Sequence, residues 1–371
     1  MLIEINMLKN YLPSNLNRDE NGAPKTCMFG GVKRNRISSQ CMKRSWRRSE
    51  IFSSEIGSDK LGVRTRNMPE LVADKLLESG IKDDVVAVVK EVLSSFGTTK
   101  DKATDNLKTP TVIMYGSDDI EDIAEYALSA VKGKTVKDVD RVAFKKELEL
   151  ALKDNSKRSV SVDMALWGRM VTSDALADVD AAMRVAHAIS TNKAMVESDF
   201  FTTFDDYLTG EESFGAGMMD YTDYTSACFY IYASIDTDIL VDNLANAENK
   251  EELVNKIVCA LVETMAYTNP SGKQTSFAAA SLPSAILVEM KSKKIAADYS
   301  SAFETPIKSD IEHSLSYNSA KSLADTCNKL QDKFAIPVDR RLWFCMDDDI
   351  TVNDAEICKS FRDLLNGLRV F

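Results

Sequence analysis

Histidine is nearly missing from this sequence, with two in 371 residues, which leaves little for proton transfer at neutral pH. His187 stands in the apolar run Ala181-Ala182-Met183-Arg184-Val185-Ala186-His187-Ala188-Ile189, where the spacing predicts a helix with a hydrogen-bonded core histidine. His313 follows Asp310-Ile311-Glu312 and reads as the solvated start of a polar helix. No H-E-x-x-H, no cysteine pair with zinc spacing and no G-x-x-x-x-G-K-[ST] loop occurs, so neither metal nor cofactor nor catalysis is expected. The acid run Asp347-Asp348-Asp349 reads as solvated surface after a strand. Seven cysteines without a C-x-x-C pair suit reduced thiols and a cytoplasmic protein. With no signal pattern in Met1-Leu2-Ile3-Glu4-Ile5-Asn6 and no apolar run of about 18 residues, no membrane partner is expected. Glycine and proline number only 15 and 8, which argues against an all-β chain of tight turns.

What is present is charge, and it is segregated. The chain carries 46 basic and 57 acidic residues, a formal −11. Yet residues 25–48 contain Lys25, Lys33, Arg34, Arg36, Lys43, Arg44, Arg47 and Arg48 and no acid. The negative average therefore hides an electropositive site suited to a polyanion. Gly30-Gly31 just before Lys33 could let a backbone approach phosphates closely. A helix predicted from Ser38 would offer free amide groups to an anion. On it Lys43 and Arg47 are four apart, as are Arg44 and Arg48; each like-charge pair costs about 0.2 to 0.5 kcal/mol in a bare helix. A bound polyanion would offset that cost; a plain solvated basic face is the other reading of the same spacing.

Alternation predicts strands over residues 2–8, 225–235, 284–290 and 341–346, with helices over 251–267, 309–330 and 353–368. Between them, apolar residues three and four apart predict helices over 68–79, 83–95, 119–131 and 136–153, the pattern of an inserted helical lobe in an α+β chain. Residues 195–226 hold eight acids and no base, too long a stretch for a plain loop, and the clustered Phe200, Phe201 and Phe204 argue that it orders against something.

The stretch Ser14-Asn15-Leu16-Asn17-Arg18-Asp19-Glu20, then Pro24-Lys25, then Phe29-Gly30-Gly31-Val32-Lys33-Arg34-Asn35-Arg36-Ile37-Ser38-Ser39-Gln40-Cys41-Met42-Lys43-Arg44 resembles the CasC family, the repeated backbone subunits of the type I-E CRISPR surveillance complex Cascade. Val162-Asp163-Met164-Ala165-Leu166-Trp167-Gly168-Arg169-Met170, Ala182 to Ile189, Gly272-Lys273-Gln274 and Phe277-Ala278-Ala279 are similar in order and spacing.

The resemblance implies an RRM-like (ferredoxin-like) palm from residues 1–56, 159–194 and 225–371, a helical fingers insertion at 57–158 and a thumb at 195–224. It implies copies stacked along CRISPR RNA with other Cascade subunits. The guide would be kinked at intervals and presented to a target DNA strand in antiviral defence, without catalysis by this chain. Position by position, Arg18 and Lys25 fall near the RNA backbone, and Ser38, Gln40, Lys43, Arg44 and Arg47 in the segment that grips phosphate and ribose. Lys33, Arg34 and Arg36 join them within the basic window. Phe200, Phe201 and Met170 would wedge at the kinked nucleotide, unless the phenylalanines merely anchor their segment. Val32 and Asn35 stand where the family is commonly basic. The rival expectation is a metal-dependent CRISPR endoribonuclease subunit cutting target RNA through Asp19 or Glu20.

Overall fold

The computed structural model describes residues 1–96, 107–116, 118–153, 160–171, 176–203 and 218–368. Its strands are β1 (Leu2–Ser14), β2 (Thr26–Phe29), β3 (Val32–Ile37), β4 (Val63–Thr65), β5 (Ile113–Tyr115), β6 (Met183–Val185), β7 (Ala188–Ser190), β8 (Glu197–Thr203), β9 (Met218–Asp236), β10 (Pro283–Lys291), β11 (Arg340–Cys345) and β12 (Glu356–Ile357). The helices are α1 (Ser39–Arg47), α2 (Glu50–Ile56), α3 (Met68–Glu78), α4 (Asp83–Leu93), α5 (Asp119–Val131), α6 (Arg141–Lys153), α7 (Val162–Trp167), α8 (Thr237–Asn243), α9 (Lys250–Tyr267), α10 (Gln274–Phe277), α11 (Leu315–Phe334) and α12 (Phe361–Gly367). The chain is thus mixed α+β, and it divides into two compact units.

The first unit comprises Met1–Phe52, Arg184–Asp236 and Val258–Val370. Its sheet runs β12-β11-β10-β1-β9-β7-β3-β2, with β6 and β8 pairing to β9. Strand β1 lies antiparallel between β10 and β9, which pair both its edges, and residues of both its faces are buried, Ile3, Ile5 and Met7 on one and Glu4, Asn6 and Leu8 on the other. Ile3, Ile5 and Met7 share one face with Ile231, which pairs with Met7; Met42 and Trp46 of α1 and Met265 of α9 close over that side. Leu8 and Trp343 lie on the other, under Leu323, Ala324 and Cys327 of α11.

Polar residues of a doubly covered strand must find partners inside the sheet. Lys9 is buried and its Nζ donates at the C-terminal end of α9, to the carbonyls of Ala266 (2.9 Å) and Thr268 (3.3 Å). Glu4, Glu289, Lys291 and Arg341 form a buried, charge-balanced quartet: Glu4 pairs across the ladder with Glu289 and Glu289 with Arg341. The Lys291 ammonium binds both Glu4 and Glu289, and Arg341 binds Glu289 at 2.7 Å. The Tyr232 and Tyr299 hydroxyls donate to Glu4 and Glu289.

The second unit comprises Ser53–Met183 and Thr237–Ile257. Val72, Leu76, Val85, Val89, Ile113, Tyr115, Ile123, Phe144 and Leu148 of α3 to α6 and β5 share its core. It extends beyond the expected insertion at 57–158 because polar contacts bind in later segments. The Arg169 guanidinium pairs with Asp119 at 2.5 Å, Asp163 accepts from the Gly62 amide at 2.8 Å, and Asn243 of α8 donates to the carbonyls of Ala165 and Asp180.

Three expected helices differ. The run at 181–189 forms the short strands β6 and β7, which follow one another along β9: β6 pairs with β9, and Ile189 and Ser190 of β7 pair with Tyr230 and Phe229. The helix expected from 309 starts only at Leu315, since Asp310 accepts from the Glu312 and His313 amides and holds a turn ahead of the Ser314 cap. The helix expected over 353–368 is confined to α12: Asp354 is left-handed (φ 57°) and the Cys358 amide donates to Trp343. Among the described residues no helix is long and apolar enough to cross a membrane.

The quartet sets a stability test. Lys291→Met would strand the Glu4 carboxylate without its cation at a site with no exposure. Urea unfolding should show a loss of about 3 to 5 kcal/mol, against less than about 1 kcal/mol for Lys75→Ala in the exposed pair with Glu121.

Candidate nucleic-acid interface

The basic window folds as a hairpin followed by a helix. Strands β2 and β3 pair from Thr26↔Asn35 to Phe29↔Val32, leaving Gly30 and Gly31 as a two-residue turn with φ of 57° and 75°. Both central residues of such a turn need positive φ, which glycine adopts freely. Gly30 is also pressed to the backbone of Glu304: a Cβ there would stand 1.8 Å from its carbonyl oxygen. The glycine pair serves the turn and this packing, not the close approach to phosphate expected from the sequence.

Arg34 is a second correction. It has no exposure; Nη1 donates to the carbonyls of Ser190 and Thr191, both at 2.9 Å, and Nη2 to those of Phe303 (2.7 Å) and Glu304 (3.0 Å). The ring of Phe29 lies 5.6 Å from the guanidinium. Those donors are spent on backbone, so Arg34 anchors the hairpin and cannot bind a phosphate.

Ser38 is buried and caps α1, accepting from the Cys41 amide at 3.3 Å while its own amide donates to Asn17 Oδ1 at 2.9 Å. The cap uses one lone pair of the hydroxyl to start the helix. Ser39, Met42 and Trp46 face inward, which turns Gln40, Arg44 and Arg48 to the surface and leaves Lys43 and Arg47 half-buried. Half-burial pulls the Lys43 ammonium below its usual pKa.

Arg18 is exposed on a loop closed by the Asp19 amide on Ala23 O (2.9 Å) and by Asp19 Oδ1, which accepts from the Asn21 and Ala23 amides. At the end of that loop Lys25 is tied to Asn17 and Arg36 through backbone hydrogen bonds of 2.8 Å. Lys25 and Arg36 both bear electrostatically on His187, and Lys25 and Arg44 on the Cys41 thiol. Arg36, Lys25, Arg44 and His187 therefore belong to one surface, continued by Lys43 and Arg47 on α1. Lys33 is exposed on the alternate face of β3. His187 is no core histidine: it is exposed in the two-residue break between β6 and β7, with Nδ1 2.9 Å from Arg36 Nη1.

The acidic stretch orders as a two-stranded ribbon. Strand β8 pairs with the first half of β9 from Glu197↔Tyr224 to Thr203↔Met218; Phe204 lies outside the described residues. Asn15 Nδ2 donates to Gly22 O in the Arg18 loop and to Asp223 O in the ribbon, both at 2.8 Å. Asn35 Nδ2 donates to Thr225 Oγ1, which itself donates to Met195 O. The ribbon root is thus bolted to the basic hairpin. Gly272 presses on the Leu16 carbonyl and the ring of Phe277 lies 5.8 Å from that of Tyr224.

Directly paired residues share a ribbon face. Ser198, Phe200 and Thr202 lie with Met219, Tyr221 and Asp223, and the rings of Phe200 and Tyr221 are 5.1 Å apart. Glu197, Asp199 and Phe201 lie with Asp220, Thr222 and Tyr224 on the opposite face. Phe200 and Phe201 cannot wedge at the same nucleotide from one side. Phe200 is half-exposed and Phe201 less so. Met170, of the second unit, is 89% exposed.

His187, Tyr221, Asn15 and Asn35 were not read as site residues. Alternation from residue 218 onward would have revealed Tyr221; the two asparagines carry no signal, because their partners lie in distant segments. Among the described residues no group of three His, Cys, Asp or Glu side chains could hold a metal ion.

The chain belongs to the CT1975-like protein family, whose profile matches residues 3–366. It is similar to a chain of a solved structure described as a CRISPR RNA-guided surveillance complex, pre-nicking, at 26% identity and a TM-score of 0.81, covering 99% of both chains. A chain of a second structure, described as a CRISPR RNA-guided surveillance complex, shares the fold at 19% identity and a TM-score of 0.59, covering 99% of this chain and 98% of that one. No curated protein matches. The resemblance to Cascade backbone subunits seen in the sequence is borne out by these likenesses.

Arg34→Lys should separate anchoring from charge. An ammonium cannot reach four carbonyls from two planar nitrogens, and the variant should lose on the order of 2 to 3 kcal/mol in urea unfolding. Limited proteolysis should cut first within residues 26–37.

Proposed function

We propose that this chain is a non-catalytic CRISPR RNA-binding backbone subunit of a type I-E Cascade complex. Copies oligomerise along the guide RNA, together with other Cascade subunits, and hold it for pairing with target DNA in the cytoplasm. The observation that carries this reading is the cationic surface of Lys25, Arg36, Lys43, Arg44 and Arg47, drawn from a sequence window without an acid and joined by Arg18 at the root of the ribbon, in a chain similar over its length to one of a CRISPR RNA-guided surveillance complex.

The palm reading is supported by topology. Strands β10-β1-β9-β7 stand in ferredoxin-like order, with α1 between β1 and β7 in sequence and α9 between β9 and β10. The second unit corresponds to the fingers and the β8–β9 ribbon to the thumb. Phosphate contacts would fix the strand without reading sequence, as a subunit serving any guide requires. The acidic ribbon suits nucleobase stacking through Phe200 rather than phosphate binding.

The nuclease reading through Asp19 draws no support from the local geometry, since that carboxylate holds the turn between Arg18 and Lys25. Incubation with target RNA and divalent metal should give no cleavage; metal-dependent cutting lost in Asp19→Ala would overturn the non-catalytic reading.

Binding energy should divide by chemistry. Replacing Lys43 and Arg47 together with Ala should weaken all guide sequences alike and flatten the salt slope by roughly 1.4. Phe200→Ala should cost on the order of 1 to 3 kcal/mol with the slope nearly unchanged and the RNA footprint blurred. Filter retention across a salt series with nuclease footprints measures both. Equal slope changes in the two variants would refute the thumb assignment.

A further inference from the structure

We propose that His187 joins Lys25 and Arg36 in a single phosphate site, in which the imidazole Nε2–H is a direct ligand of a phosphodiester oxygen and Nδ1 aims the Arg36 guanidinium. This rests on the RNA-binding reading above and adds a residue and a geometry to it.

The hydrogen-bond inventory fixes the tautomer. A guanidinium has donors only and keeps its charge, so Nδ1, 2.9 Å from Arg36 Nη1, must accept. The proton of the neutral ring therefore sits on Nε2, for which no acceptor is found among the described residues. Arg36 is held from its other side as well, with Nε 3.5 Å from Thr26 O. Its strand is fixed by the pairing of Arg36 with Ile189 and of Ile37 with Ala188, the residue after His187.

The electrostatics agree. Partial desolvation, then the charges of Arg36 and Lys25, push the imidazole pKa below its ordinary value, so it is a neutral donor at pH 7. Lys25 stands opposite Arg36 at the base of the hairpin, where the Arg36 amide donates to Lys25 O at 2.8 Å, and two cations beside an imidazole N–H match the oxygens of a phosphate group. His187 lies in a two-residue interruption, Ala186 and His187, between β6 and β7 along β9, and the Ala186 amide is fixed to Tyr232 O of β9 at 3.0 Å. The ring is thus presented from sheet backbone.

His187→Ala should weaken single-stranded RNA about tenfold, leaving the salt slope unchanged because a neutral donor releases no counterion. Lys25→Ala should flatten the slope by about 0.7. His187→Gln, whose amide can accept from Arg36 and donate onward, should recover most of the affinity. His187 is exposed, and thermal denaturation should confirm that the Ala variant folds. Only two histidines are present, so 15N-imidazole spectra of the full chain should show His187 as the Nε2–H form at pH 7.5, shifting with RNA but not with equimolar inorganic phosphate.

Wild-type affinity in His187→Ala, or a protonated Nδ1 in the spectra, would overturn the site while leaving the RNA-binding reading intact if Lys43→Ala with Arg47→Ala still loses RNA. A shift with inorganic phosphate alone would show an ion site independent of RNA and equally refute it. Unaltered RNA binding in all these variants would instead sink the reading on which the site rests.

Discussion

Everything at the cationic surface depends on one buried cation that is not part of it. The Arg34 guanidinium reaches carbonyls 156 to 270 residues further along the chain. An unpaired charge with no exposure would be too costly to keep. Four carbonyl acceptors offset that cost only if the hairpin, the end of β7 and the turn through Phe303 and Glu304 are all in place. The clamp is therefore a condition on the tertiary structure as much as a contribution to it. Gly30, pressed to Glu304, meets the same condition sterically. Once the hairpin is seated, Lys25 and Arg36 have fixed origins, and α1 leaves it with Met42 and Trp46 inward and its cations outward.

The sheet behind this clamp carries a related constraint. A strand covered on both faces would ordinarily be apolar throughout, yet β1 presents Glu4, Asn6 and Lys9 to the interior. Two acids and two bases cancel in the quartet around Glu289, and Lys9 faces the carbonyl end of α9. Such groups add less to stability than an apolar core of the same size would, but they penalise any slip in register, since one residue of slip would put every charge on the wrong face. Strand β9 runs on from the sheet into the ribbon, past a register shift between Tyr11 and Ser14 of β1.

What could be read in the sequence follows from what is local. The alternations at residues 2–8, 225–235, 284–290 and 341–346 identify β1, the inner half of β9, β10 and β11, and the spacing over 119–131 identifies α5. The run around His187 misleads because its alanines suit a helix, while its strands are three residues long and form through pairing with the distant β9 and β3. Arg34 and Arg36 look alike in sequence, two residues apart in one basic run. One is buried by carbonyls hundreds of residues away and the other is not. The basic site was legible as a whole because charge segregation needs no structure to see. The role of each cation was not, because burial is set by distant contacts.

The acidity of the ribbon then follows from its two faces. A ribbon two strands wide has no interior, so period-two alternation gives each face a separate composition. One face carries Phe200, Met219 and Tyr221 with a single acid, Asp223, whose Oδ1 already accepts from Ser198 at 2.5 Å. The other gathers Glu197, Asp199 and Asp220. A polyanion approaching the cationic root meets repulsion from the second face and an aromatic surface on the first. The negative charge is thus a directional element: it attracts no phosphate, and it leaves the Phe200 and Tyr221 rings as the side on which a base can lie. Moving one residue along the strand, to Phe201, puts the same ring chemistry on the side the carboxylates guard.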